Sequence, residues 1–272
     1  MVIWRKSPLN LFSLAALLSL SLWGTLAFPT RSRAHSAPPS GAIAQELPTD
    51  WNAAPFDPPQ SGAPGRRIGG ATRGLCPQSA QNIVALIPPT NQGQTLSQHP
   101  TFFFYIPEIV PAQDMQIEFL LEDQSNWQDV KTVYKTTMPI PKQSGIVAIA
   151  LPDNGESEGL AVDKIYNWYF SVICDYKSSE PHTLSTGGWI ERVETPNPLA
   201  QELEMASAAE KVEIYQRERL WYDLLDTLAQ LQSESADNSS WSARWQQLLD
   251  AVELDDIANA PLVELSFEPA TP

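Results

Sequence analysis

The hydrophobic period of this chain changes once, at Pro196-Asn197-Pro198, and that change limits the folds open to it. Before it, apolar residues recur at every second position in short runs. After it, they recur every three or four. Period two belongs to half-buried strands and period 3.6 to amphipathic helices. The pattern predicts a mainly β body with a C-terminal α segment. Seven runs read as strands: Asn82–Ile87, Thr101–Ile106, Met115–Leu121, Val130–Thr137, Ile146–Leu151, Ile165–Asp175 and Gly188–Glu194. Pro88-Pro89, Pro100, Pro107 and the polar stretches Asp123–Asp129 and Asp153–Gly159 punctuate them. Short strands at this spacing suit an immunoglobulin-like antiparallel β-sandwich.

Behind the change lie three helical stripes. They are Met205, Ala209, Val212 and Tyr215; then Leu220, Leu224, Leu228 and Leu231, widened by Trp221 and Leu225; then Trp241, Trp245, Leu248, Leu249 and Val252. An antiparallel helical hairpin or a small helical bundle fits them. No glycine separates the first two stripes, so residues 205–231 make either one helix or two. Ser240 suits the N-cap of the third.

The remaining segments divide the chain further. Residues 1–28 hold Arg5 and Lys6, then the uncharged run Leu9–Phe28, the pattern of a signal peptide or of an uncleaved N-terminal anchor. Residues 29–65 are a Pro-rich linker. The β-sandwich spans 66–195, the helical segment 199–260 and a short tail 261–272. The chain carries −15 overall, but residues 1–44 hold four cations and no acid. Thirteen cations therefore face 32 acids in residues 45–272, a net −19. A body that acidic is repelled by nucleic acid and by anionic lipid. No nucleic-acid partner is expected, and membrane contact only through an uncleaved N-terminal segment.

Two cysteines, Cys76 and Cys174, are the whole complement. In an exported chain a single disulfide is the default, and closing a loop of about 100 residues is worth roughly 4–5 kcal/mol in the chain-entropy model. Two unpaired thiols, with Cys174 inside an apolar strand, are the alternative.

Two surface candidates stand out. The lead-in GRRIGGATRGLC sets Arg66, Arg67 and Arg73 among Gly69, Gly70 and other glycines, just ahead of Cys76. Glycine permits close backbone approach and arginine grips carboxylates or phosphates, so a docking loop is one reading. A loop that ties the linker to the sandwich is the other. Trp168, Tyr169 and Trp189 form a candidate aromatic strip able to stack on sugars, or else core packed near the disulfide. No zinc-spaced pair, nucleophile elbow or dinucleotide fingerprint occurs, so no catalytic residue, metal or cofactor is assigned and no enzyme is expected.

The stretches GAPGRRIGGATRGLC, LSQHPTFFFYIP, NWYFSVICD, GGWIERVE and LWYDLLDTLAQL occur in that order between Gly62 and Leu231. In them the chain resembles the cyanobacterial family of domain of unknown function 928. The resemblance covers about Gly62 to Leu265, implies an exported cyanobacterial protein, and implies no chemistry, because the family has no assigned activity. Its genomic neighbours make an envelope or signalling partner an expectation. Family members tend to place Asn-Gly before the Trp-Tyr pair, where this chain has Glu218-Arg219-Leu220. Taken together, the sequence predicts an exported, non-catalytic interaction module of the periplasm or the extracellular space, with a protein or peptide partner. A carbohydrate or cell-wall binding module using exposed aromatics is the alternative.

Overall fold

A computed structural model of the chain describes residues 67, 70–71, 76–77, 80, 82–109, 114–126, 128–234 and 239–263. All belong to one compact unit, Glu46–Pro272. The expected signal or anchor, the whole linker and the tail beyond 263 lie outside the described residues.

Among the described residues ten strands make two sheets. They are β1 (Gly70–Ala71), β2 (Val84–Ala85), β3 (Gln92–Thr95), β4 (Thr101–Ile106), β5 (Gln116–Asp123), β6 (Lys131–Met138), β7 (Gly145–Ala150), β8 (Lys164–Cys174), β9 (His182–Arg192) and β10 (Leu262–Val263). The larger sheet runs β1-β9-β8-β5-β6, with β3 also paired to β9; the smaller runs β10-β7-β4-β2. The sheets are mixed rather than purely antiparallel, because β3 lies parallel to β9 and β10 parallel to β7. Three strands escape the alternation rule. Gly70–Ala71 and Leu262–Val263 are too short to show a period, and Gln92–Thr95 (QGQT) has no apolar residue to alternate.

The inner faces follow from period two. Phe102, Phe104 and Ile106 of β4 meet Ile117, Phe119 and Leu121 of β5 and Trp168, Phe170 and Val172 of β8, all buried. Phe104 stacks on Phe170 at 4.1 Å between centroids, and Phe102 meets Phe119 at 4.9 Å. Such offset and tilted pairs are favoured by the ring quadrupole. Phe103 packs on the other side, edge-on to Trp245 at 6.0 Å. Helices therefore cover part of the smaller sheet's outer face.

Those helices are α1 (Asn197–Met205), α2 (Ala208–Arg217), α3 (Trp221–Glu234) and α4 (Ser239–Ala251), followed by a 3-10 turn at Asp255–Ile257. Pro198 opens α1. Ser207 and Glu210 form a reciprocal capping box at the start of α2. Ser240 sits inside α4 rather than ahead of it. Residues 205–231 break into separate helices at Glu218–Arg219. Arg219 takes φ 60°, Leu220 N donates to Tyr215 O and Arg219 N to Gln216 O. That is a Schellman stop with arginine where glycine is usual. The end of α4 repeats it: Glu253 has φ 60°, Leu254 N donates to Leu249 O and Glu253 N to Asp250 O.

Sandwich and helices share one core. The parts separable in sequence, 66–195 and 199–260, are joined through Trp221, Tyr222, Leu224 and Leu225 of α3, all buried with the strand residues. Gly93 of β3 makes room for that docking: a Cβ there would lie 3.0 Å from the Tyr222 ring and 3.1 Å from Trp221 Cβ.

Candidate functional site

The cationic lead-in comes first. Arg66, Gly69 and Arg73 lie outside the described residues, and Gly70 is paired in β1 opposite Ser185. Arg67 is placed, and it faces inward. Its Nη1 donates to Val252 O at 2.6 Å and its Nη2 to Glu253 O at 2.9 Å, so the guanidinium caps the C-terminus of α4. A cation there satisfies free carbonyls and meets the negative end of the helix dipole. The Arg67 carbonyl accepts from Ala85 N at 2.8 Å in the smaller sheet and from Thr186 Oγ1 at 3.0 Å in the larger. Burial lowers the guanidinium's pKa, and Glu253 opposes that. Arg67 is therefore a tie between two sheets and a helix, not a displayed docking group. Cys76 and Cys174 are joined, with Cα atoms 5.4 Å apart, which fixes the lead-in to the end of β8.

The aromatic strip is not open. Trp168 is 1% exposed and Trp189 3%, while Tyr169, on the opposite face of β8, is 37% exposed. Side chains one position apart on a strand point to opposite faces, so neighbours in sequence do not make a platform. The Trp168 indole and the Trp189 main chain are tied to one buried hydroxyl. Trp168 Nε1 donates to Tyr222 Oη at 2.8 Å, and Tyr222 Oη donates to Trp189 O at 3.1 Å. Burial pushes the Tyr222 hydroxyl well above its usual pKa. Trp221 Nε1 donates to Leu86 O at 2.9 Å. Gly188 permits this packing, because a Cβ there would come 2.5 Å from Trp168 Cζ2. An exposed sugar-stacking strip at Trp168, Tyr169 and Trp189 is thereby overturned.

Perturbed titratable groups gather where α3 meets the sandwich. Asp223 Oδ2 accepts from Leu96 N at 3.0 Å, just past β3. Burial pushes its carboxyl up to about 6, against the hydrogen bonds from Leu96 and Thr95. Burial also raises Asp226 one turn on. Tyr215 of α2, half-buried beside both carboxylates, is pushed up to about 12, chiefly by its loss of solvent.

A cavity of about 420 Å³ opens elsewhere, between the last turn of α3, the body of α4 and the segment leading into β10. Gln232 and Ser233 come from α3, Ser242, Trp245 and Gln246 from α4, and Asn259, Pro261 and Leu262 from the exit. Among the described residues its lining holds no titratable side chain. Gln246 Nε2 donates to Asn259 Oδ1 at 2.7 Å across its wall. Sequence patterning misses this site because the two amides lie 13 residues apart, and only the reversal at Val252–Leu254 brings them together. Among the described residues no cluster of three or more His, Cys, Asp or Glu is placed to hold a metal, and no helix is long and apolar enough to cross a membrane.

Comparison with known proteins adds the following. The family described as Domain of Unknown Function (DUF928) matches over residues 68–262. No curated protein matches the chain. Among solved structures, the chain is similar to the solution structure of the sensor domain of the anti-sigma factor RsgI4 in Pseudobacteroides cellulosolvens. The two share 11% identity over 42% of this chain and 76% of that one, with a TM-score of 0.26.

Proposed function

We propose, starting from a chain that belongs to the DUF928 family, that it is exported by a cyanobacterial cell and works as a non-catalytic binding module of the cell envelope. The observation that carries this reading is the cavity beside α4. It has the size of a small-molecule site, within roughly 300–1,000 Å³, yet among the described residues no acid, base or nucleophile with a perturbed pKa lines it. Catalytic sites need such groups; recognition sites do not. The carboxylates that burial raises, Asp223 and Asp226, lie instead at the α3 junction, where Leu96 and Thr95 engage Asp223. The disulfide supports export, since such bonds persist in oxidising compartments.

The test uses the full chain expressed in its cell. Cell fractionation with thiol labelling before and after reduction reads both compartment and disulfide. The expected result is an envelope-associated protein whose thiols label only after reduction. Ser242→Trp, which fills the cavity from α4, should release the protein from washed envelopes without changing its melting temperature. Reduced thiols in the cytoplasmic fraction, or retention unchanged in Ser242→Trp, would overturn the reading.

A further inference from the structure

We infer that the cavity beside α4 is a subsite for one neutral, N-acetylated sugar residue, held by its acetamido group between Gln246 and Asn259. The inference rests on the binding-module reading above and names its ligand class.

The two carboxamides carry the argument. Each offers one carbonyl acceptor and two N–H donors. Their mutual bond, Gln246 Nε2 to Asn259 Oδ1, leaves Gln246 Oε1 as an acceptor and Asn259 Nδ2 as a donor at the cavity wall. Turning both amides over exchanges the atoms but still leaves one acceptor and one donor. A secondary amide matches that pair, giving its N–H to the acceptor and taking a hydrogen bond on its carbonyl. The pair lies at the exposed rim of the cavity, where it sets the orientation of a ligand amide by offering one acceptor and one donor side by side.

The rest of the lining separates a sugar from a peptide. An extended peptide repeats its amide about every 3.3 Å and would require a row of such pairs. The described lining has one hydrogen-bonded amide pair, with the Gln232 carboxamide and the serine hydroxyls of Ser233 and Ser242 alongside it. Ser233 Oγ already donates to Gln230 O, so its oxygen faces a ligand as an acceptor for a hydroxyl proton. Ala258 and Ala260 supply small apolar surface of the size of an acetyl methyl, and Trp245, held edge-on by Phe103, forms a rigid wall. One amide surrounded by hydroxyl partners is the pattern of an N-acetylated amino sugar. Among the described residues the cavity lining is polar and uncharged, which suits a neutral ligand.

The test is titration of the folded, disulfide-bonded full chain by isothermal calorimetry, with four probes. They are N-acetylglucosamine, its β-linked oligomers, glucose, and N-acetylalanine N-methylamide as a peptide-bond mimic. The N-acetylated sugars should bind at millimolar concentration or below, and glucose and the dipeptide mimic should not. Gln246→Ala and Asn259→Ala, both on exposed side chains, should each weaken sugar binding about tenfold, the loss of one hydrogen bond, with unchanged melting. No binding by any N-acetylated sugar overturns the inference. So does equal binding of the dipeptide mimic, or sugar binding untouched in both variants. Envelope retention that Ser242→Trp abolishes, alongside absent sugar binding, would sink only the ligand class and leave the binding-module reading standing.

Discussion

Arg67 joins three layers through one residue: its carbonyl accepts from a strand of each sheet and its guanidinium caps α4. Arg67→Ala removes the two side-chain bonds and leaves helix carbonyls without their partner. The expected loss is about 2–4 kcal/mol, read as a lower midpoint in urea unfolding. A docking arginine would show no such loss. Asp223 makes the opposite kind of contribution. Its folded pKa, about 6, lies above the ordinary unfolded value of about 3.9, so the folded state holds its proton more tightly. Its stabilising contribution is therefore complete below about pH 4 and lost as pH rises through about 6, a change on the order of 1–3 kcal/mol. Asp223→Asn keeps an acceptor for Leu96 N and should melt higher than the parent at pH 7.5, with the gap closing by pH 4. Thermal melts across that range check it; a gap independent of pH would sink the assignment.

At the scale of elements, the two Schellman stops explain what alternation and periodicity reveal and what they hide. Thr101–Ile106 is legible to the residue, because TFFFYI is an aromatic run bounded by prolines; Phe102 and Phe104 enter the sandwich core and Phe103 is buried on the other face under α4. The split between α2 and α3 is not, because Arg219 adopts the left-handed region that a glycine would have announced. Glu253 does the same at α4. Its side chain is 81% exposed, with one 4.0 Å contact to Arg67. Glu253→Gly relieves the left-handed penalty and should stabilise by about 0.5–1 kcal/mol, visible as a higher melting temperature. The cavity was illegible for a related reason. Gln246 and Asn259 are ordinary polar positions until the reversal at Val252–Leu254 sets them 2.7 Å apart. The disulfide was legible as a default from two cysteines alone. Trp168 and Trp189 were readable as core or as platform, and Tyr222, 54 residues from Trp168, decides for core.

For the whole molecule, the shared core means that neither part stands alone. A chain ending near residue 195 would strip Trp221 and Tyr222 from Leu86, Phe102 and Trp168 and expose Phe103. Such a fragment is expected to aggregate or elute as a large species in size-exclusion chromatography; a monomeric, cooperatively melting fragment would show that the sandwich is autonomous. Reduction of Cys76–Cys174, whose ends are 98 positions apart, should lower the stability of the intact chain by about 2–5 kcal/mol.

The contact between Arg67 and the end of α4 spans 185 positions, and β10 enters its sheet only after every helix has been made. Few native contacts of that range exist while the chain is still growing, so the folding barrier is crossed late and folding is slow. Under the export proposed above, the polypeptide passes through a narrow translocation channel as an extended strand, and that delay is useful. The tie that holds the finished protein together is also what keeps it threadable until its last segments have emerged.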